Sequence, residues 1–491
     1  MKRYLLSSVA ALMIAGHVHA QSAADIDAAV ESGVVELNDM GANLTFGTKE
    51  VVDGGLVLRD VRMAPDDGEV VIEAEFVRML PSPESPEEVV VTISPIVTLT
   101  ATPTDGTAPI EVQMQTEGFE LVTNWLLEEV AQHRLAIRAD SVAVTGGSPD
   151  HPVLKRLDVR PGDLDISVAF DEETRNLDAA LSMSSLLADY AITDPMTGHT
   201  SEVTTNSGGQ TVTLTATALP EDDEESFESF VENGGAFQLL IEGSGGTTSF
   251  STTDPEMAVA IDASGESGSA EISLIEGSFL YKFDFGALEY VLTPNPDVLP
   301  LPPFNASMAS GAMEFRMPVT ASDEGRDLNL SLALRELVLG ESVWAMIDPG
   351  ATIPRDPANL DIDVAAKAVL STPLAEAASM ENPMDIGQVE SIDLNRLFVS
   401  AGGAMIDAVG GVIMDNSGPI PIPDWSIVVS VAGLQGLAQK LVELGLVDQM
   451  QVGMMMGMMM AFATPGDDPD SYNSKIEFRD GGIFSNGQPL Q

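Results

Sequence analysis

Reactive side chains are the scarcest feature of this sequence. It contains no cysteine, which removes disulfides, thiolate metal sites and cysteine nucleophiles together. Of its histidines, His17 and His19 lie in the first twenty residues, leaving His133, His151 and His199. His151 sits in the turn-like Ser148–Pro152 and His199 follows Gly198, and neither has a partner at metal-ligand spacing such as the i, i+4 pair of a helix-borne zinc site. All three read as surface histidines. A serine-hydrolase elbow needs Gly-x-Ser-x-Gly between a strand and a helix. Gly340-Glu341-Ser342-Val343-Trp344 begins that way and fails at its last position. Gly243-Ser244-Gly245-Gly246 carries no lysine and opens no helix, as a phosphate loop would. The 76 acidic residues always offer some pair at glycosidase spacing, but three Trp and five Tyr are a poor supply of sugar platforms. No catalytic, cofactor-binding or metal-ligating set emerges, and the expectation is a protein that is not an enzyme and carries no cofactor. A histidine beside a carboxylate inside a cleft would argue the opposite.

Thioether sulfur is the remaining candidate ligand. Met454, Met455, Met456, Met458, Met459 and Met460 crowd one segment, and soft sulfur selects Cu(I). The competing role of methionine is adaptable apolar filling. On a helix, Met454 and Met458 fall on one side while Met456, Met459 and Met460 fall on another, so the sulfurs do not converge. Apolar residues continue right around the segment, which predicts deep burial. Gly453 and Gly457, four apart, mark the spot where such a helix would press on a neighbour.

The elements that would position these residues are mostly strands. Leu164, Ile166, Val168 and Phe170 alternate, as do Leu328, Leu330, Leu332 and Leu334, and then Leu360, Ile362 and Val364. That period of two marks half-buried strands, and the recurring turns (Asp105-Gly106, Gly146-Gly147, Pro161-Gly162) set them in antiparallel succession. Ala23–Val35 reads as a short helix. Trp125–Ala131 and Leu181–Leu187 read as irregular or short, Gly243–Thr253 as a soft Ser/Thr/Gly segment, and the carboxylate run Glu221–Glu232 as an exposed loop or short helix. Proline breaks at Pro294–Pro303, Pro349–Pro357 and Pro419–Pro423 divide the sheet into panels.

The last stretch changes character. Trp425–Ala432 is a strand; Leu434, Leu437, Leu441 and Leu444 then define an amphipathic helix over Leu434–Leu446. Asp448 with Gln451 three residues on starts a second helix, Gln449–Ala463, stopped by Thr464-Pro465-Gly466. A strand at Lys475–Phe478 and a hairpin across Asn486-Gly487 follow. The fold class is therefore mainly β with a minor α part: a long curved antiparallel meander closed by a C-terminal helix pair and a terminal hairpin. Its divisions are 1–20, 21–340 as an N-terminal β-meander region, and 341–491 as a C-terminal β-rich region with the helix pair at 434–463.

These residues also resemble a known family. "KLVELGLVDQMQVGMMMGMMMAFATPGDD" followed by "SKIEFRDGGIFSNGQPLQ" is similar to the C-terminus of the alphaproteobacterial domain-of-unknown-function 2125 family. "WAMIDPGATIPRDPANLDIDV" (Trp344–Val364) and "GLVLRDVRMAPDDGEVVIEAEF" (Gly55–Phe76) agree, so the resemblance extends over nearly the whole mature chain. It implies a place among AsmA-like envelope proteins, long β structures implicated in lipid handling.

Charge and the first twenty residues bound location and partners. Lys2 and Arg3 precede the apolar run Tyr4–Ala15, and Val18-His19-Ala20 offers a small-x-small cleavage site. That is the pattern of a secretory signal peptide, predicted to be cut after Ala20, and it places the mature chain in the periplasm. No later segment reaches the ~20 apolar residues of a membrane span. The net charge of −54, with no Lys or Arg between Arg175 and Lys282, excludes nucleic acid as a partner. Two readings remain. One is an apolar trough for lipid or another greasy cargo, lined by Leu328, Leu330, Leu332, Leu334, Leu437, Leu441 and Leu444. The other is a packed envelope protein whose acidic surface recognises a protein partner.

Overall fold

The computed structural model describes residues 22–490 except 66–67, 86, 105, 125–130, 221–226, 255–258, 297, 378–385, 419–420 and 480. The predicted signal peptide, most of Trp125–Ala131 and the five consecutive carboxylates from Glu221 lie outside the described residues. The chain is mainly β, every assigned strand pair is antiparallel, and the few helices are short. No helix among the described residues is long and apolar enough to cross a membrane. Two compact units are distinguished: Met1–Pro220 with Leu240–Asp262 and Asn295–Leu299, and Glu221–Leu239 with Ala263–Pro294 and Pro300–Gln491.

The first unit holds the dry core. Helix Ala23–Asp39 opens on a capping arrangement in which Ser22 Oγ donates to Asp25 Oδ2 at 2.8 Å and accepts from the Asp25 amide at 3.4 Å. Its stripe of Ile26, Val30 and Leu37 packs on strands Ala42–Thr45 and Gly55–Pro65 and joins one buried cluster with Leu56, Leu58, Val77, Met79, Val89 and Val91 of Gly55–Pro65, Val70–Pro81 and Val89–Ile93. The helix runs a turn beyond Val35 because Leu37 continues that apolar stripe. Leu181–Leu187 is not irregular. Strands Asn176–Met183 and Ser185–Thr193 pair side by side along the single long strand Leu154–Asp171, and Ser184 marks only the step between them. Likewise Gly246–Thr252, within the segment expected to be soft, is a strand paired with Thr200–Ser207. Threonine and serine there exchange cross-strand contacts (Ser201 Oγ to Thr252 Oγ1, 3.3 Å), which suits β structure despite the glycines.

The second unit contains a true meander. Strands Ser310–Pro318, Arg326–Leu339, Ala358–Leu370, Gly387–Ala401, Ala404–Asp415 and Ile422–Ala432 pair in sequence order. The predicted helices follow as Leu434–Glu443 and Gln449–Phe462, and strand Ser471–Arg479 then pairs with Ile422–Ala432. The helix pair is thus an insertion between two neighbouring strands. Asn486 (φ 51°) and Gly487 (φ 80°) form the expected hairpin turn.

Candidate functional site

The histidines come first, because two of them do stand beside carboxylates. His133 Nε2, on strand Gln132–Gly146, lies 2.7 Å from Oε1 of Glu172, which follows the end of the paired strand Leu154–Asp171. His151 has both nitrogens engaged by backbone: Nδ1 accepts from the amides of Val153 (3.1 Å) and Leu154 (3.0 Å), and Nε2 donates to the Ala108 carbonyl (3.0 Å). His199 lies in a cleft of about 420 Å³ with Asp194, Tyr190, Phe250 and Asp254. Its Nδ1 is 3.7 Å from Asp254 Oδ1 and has no hydrogen-bond partner. Asp194 is consumed by the turn: it accepts from the Met196 amide (2.8 Å) and the Thr197 hydroxyl (2.9 Å), bonds that hold its carboxyl below the ordinary value. Ser201 donates to Thr252. The nucleophile, base and orienter of an acyl-transfer site therefore are not linked here. Among the described residues no three His, Asp or Glu side chains converge as metal ligands.

The larger feature is a sheet face. Direct cross-strand partners run Phe283, Met313, Leu332, Ile362, Leu397, Ala408 and Val429. The adjacent row runs Tyr281, Phe315, Leu330, Val364, Leu394, Gly410 and Ile427. Leu328 continues into Ala366, Ile392, Val412 and Trp425, and Leu334 into Leu360, Val399 and Ile406. With eight pairings at about 4.8 Å each, from Gly268–Ile275 to Ser471–Arg479, the face extends about 40 Å along the hydrogen-bond direction. Bulges at Asn395 and at Arg335-Glu336 hold the alternation in phase: each inserts one residue on one strand, so apolar side chains stay on the same side before and after it. The opposite face is more polar, although Phe398, Val409 and Val428 also lie on it. One of its rows is Arg316, Asn329, Ala365, Asp393, Gly411, Ser426 and Glu477.

Much of this face is not covered to the depth of a core, although Ala408 (2% exposed) and Leu274 (0%) on it are buried. Leu330 is 38% exposed and Leu328, Leu332 and Leu334 are half-buried, whereas Leu56 and Leu58 of the first unit are each 1% exposed. The structure brings the four strand leucines together on it. Of the helix leucines, Leu437 packs at the Gly402 turn beside Ile353, and Leu441 and Leu444 are half-buried. Sequence periodicity placed each strand on the right face but did not identify Met313, Phe315 or Leu397 as neighbours of those leucines. The alternation of Ile362 and Val364 was the available signal.

Residues 238–490 match the family described as "Uncharacterized protein conserved in bacteria (DUF2125)". The chain belongs to that family. The match takes in Trp344–Val364 and the C-terminal motifs, while Gly55–Phe76 lies outside it. No curated protein matches the chain.

Two family-matched segments have a structural explanation. In Trp344–Val364, helix Glu341–Ile347 ends at the fully buried Asp348, whose Oδ2 accepts from the Ile353 amide at 2.7 Å. Arg355 donates to the Asp348 carbonyl, pairs with Glu341 and lies 5.6 Å over the Trp344 ring. Burial pushes the Asp348 carboxyl up, but hydrogen bonds from Ile353 and Thr352 and the Arg355 charge outweigh it and hold it below its ordinary 3.8. A depressed carboxyl contributes stability that is present above the unfolded value and disappears as pH falls through the lower folded one. Asp348→Asn is therefore expected to lower the melting temperature at neutral pH. The gap from the parent should close below pH 3.8, which thermal melts taken across that range would measure. A gap independent of pH would contradict the assignment.

The second segment is the methionine helix, and here expectation and structure part. Met450 is 77%, Met454 63% and Met460 68% exposed, and no described residue of Gln449–Phe462 is buried. A Cβ on Gly453 or Gly457 would meet nothing within 4 Å, so no neighbour presses there. The reason is how the helix is held. The Asp448 carboxylate accepts from the Met450 amide (2.6 Å), and the Phe462 carbonyl accepts from Ser474 Oγ (2.7 Å), Ser485 Oγ (2.8 Å) and Asn486 Nδ2 (3.0 Å). The first end is capped locally and the last is fastened by polar bonds; one side meets helix Leu434–Glu443, and Met450, Met454 and Met460 are left exposed.

Proposed function

We propose that this chain is a non-enzymatic bacterial protein of the periplasm that holds an apolar cargo, with lipid acyl chains the best fit, against the sheet face of Leu328, Leu330, Leu332 and Leu334. The observation that carries this is the set of apolar cross-strand rows, most of whose side chains are only partly covered, with Phe283, Met313, Leu330 and Ile392 the most exposed. Soluble proteins rarely leave contiguous apolar patches above a few hundred Å² uncovered unless something binds there. A long, featureless apolar strip with no convergent polar groups suits flexible hydrocarbon better than a small polar metabolite, which needs placed donors and acceptors. The reverse face, with most of the charged side chains, is the more polar of the two. The Lys2-Arg3 leader pattern supports secretion, and the disconnected His133, His151 and His199 sites support a role in binding over catalysis.

Native mass spectrometry of the protein purified from its own periplasm tests the reading. Stoichiometric phospholipid is expected. Leu332→Glu and Ile362→Glu, each placing a charge in the middle of the strip, should reduce uptake of added lipid at least about tenfold, since an unpaired carboxylate is costly against hydrocarbon. Ser331→Glu, on the opposite face of the same strand, should leave uptake unchanged. A clean apo mass with no uptake of added lipid would overturn the proposal.

A further inference from the structure

We infer that the methionine helix Gln449–Phe462 is a docking site for a basic, amphipathic segment of a protein partner. A helix that is apolar all round is ordinarily buried. This one carries no charged residue and still exposes Met450, Met454 and Met460 by more than half. Three donors to the Phe462 carbonyl hold its last turn, and helix Leu434–Glu443 meets one side, leaving Met450, Met454 and Met460 uncovered.

Three observations select the occupant. With 14 residues the helix is about 21 Å long, short of the ~30 Å hydrocarbon layer, so it does not span a membrane. A helix lying in a membrane surface carries a polar face rich in Lys and Arg, and this helix has neither. The acidic residues that bracket it, Asp448 before and Asp467 and Asp468 after, together with a net charge of −54, repel anionic headgroups and attract a cationic polypeptide. Unbranched, polarizable methionines repack around unlike apolar side chains, which is what a helix-in-groove or helix-on-helix contact demands. Charge brings the partner in, and the thioethers hold it. The inference stands apart from the lipid reading, because it uses a different surface and loses nothing if the sheet face is empty.

The test is a titration of the full chain with a fluorescently labelled Lys/Leu amphipathic peptide. Met454→Gln combined with Met460→Gln removes apolar surface without changing charge, at positions exposed enough that the fold is preserved. Binding to the parent and a loss of about tenfold or more in the double variant are expected. Replacing the peptide's lysines by glutamine should also weaken binding, and raised salt should do the same. Equal affinity for parent and double variant would mean that charge alone is at work and would overturn the inference. So would uptake by phosphatidylethanolamine/phosphatidylglycerol vesicles that the double variant abolishes while peptide binding survives.

Discussion

Leu58→Ala is expected to destabilise the first unit by about 2–5 kcal/mol, while Leu330→Ala in the second costs about 1 kcal/mol or less. Both are leucines on antiparallel strands, and sequence alternation treats them alike. They differ in what lies over them. Leu58 is 1% exposed and lies in a cluster closed by Ile26, Val30 and Leu37 of helix Ala23–Asp39, so truncation leaves a cavity whose walls are held on several sides. Leu330 is 38% exposed, and truncation merely lowers the strip at one point where solvent already reaches. Hydrogen exchange makes the comparison within one sample series. Amides of Gly55–Pro65 should lose protection in Leu58→Ala, and those of Arg326–Leu339 should change little in Leu330→Ala. Equal losses would mean that the second unit's apolar face is covered as deeply as the first unit's core, and the cargo proposal would lose its main support.

What was legible in the sequence was local. Period-two alternation located the strands, and the Leu434–Leu444 spacing, the Asp448 cap and the Asn486-Gly487 pair located the C-terminal helices and hairpin, because each signal depends on neighbours a few residues apart. Which strands pair, and so which apolar residues share a row, depends on partners tens of residues away. Leu332 meets Ile362 thirty residues on, and Ala408 meets Val429 across a separate turn. The methionine helix shows the limit most clearly. An all-apolar helix with two glycines has the sequence of a buried one, and the polar fastening of its last turn by Ser474, Ser485 and Asn486 cannot be read from its own residues. The candidate site was half legible for the same reason. Leu328–Leu334 were found by period, and the strip they belong to appears only once the register is known.

Gly433 shows how little freedom the helix pair has at its root. It sits at φ +69°, where glycine pays no steric penalty and a β-branched residue pays a large one, and a Cβ there would lie 2.1 Å from the Gly403 carbonyl oxygen. Having no side chain, it cannot cap helix Leu434–Glu443. Asp470 does so from across the insertion, accepting from the amides of Gln435 (3.3 Å) and Gly436 (2.9 Å), while the Gly433 amide donates to the Asp470 carbonyl (2.9 Å). Gly433→Val must therefore displace backbone, and it should cost about 3 kcal/mol through strain and the lost cap. Gly445→Ala is the matched control: its φ is +71°, but nothing lies within 4 Å of the added carbon, so only the conformational cost of about 1 kcal/mol applies. In Gly433→Val, amides from Leu434 to Phe462 should exchange freely and protease should cut between Glu443 and Gln449, while the amides of Gly55–Pro65 keep their protection. If the two glycine variants behaved alike, the close approach of Gly433 to Gly403 would not be what seats the helices, and the exposed methionine helix would need another support.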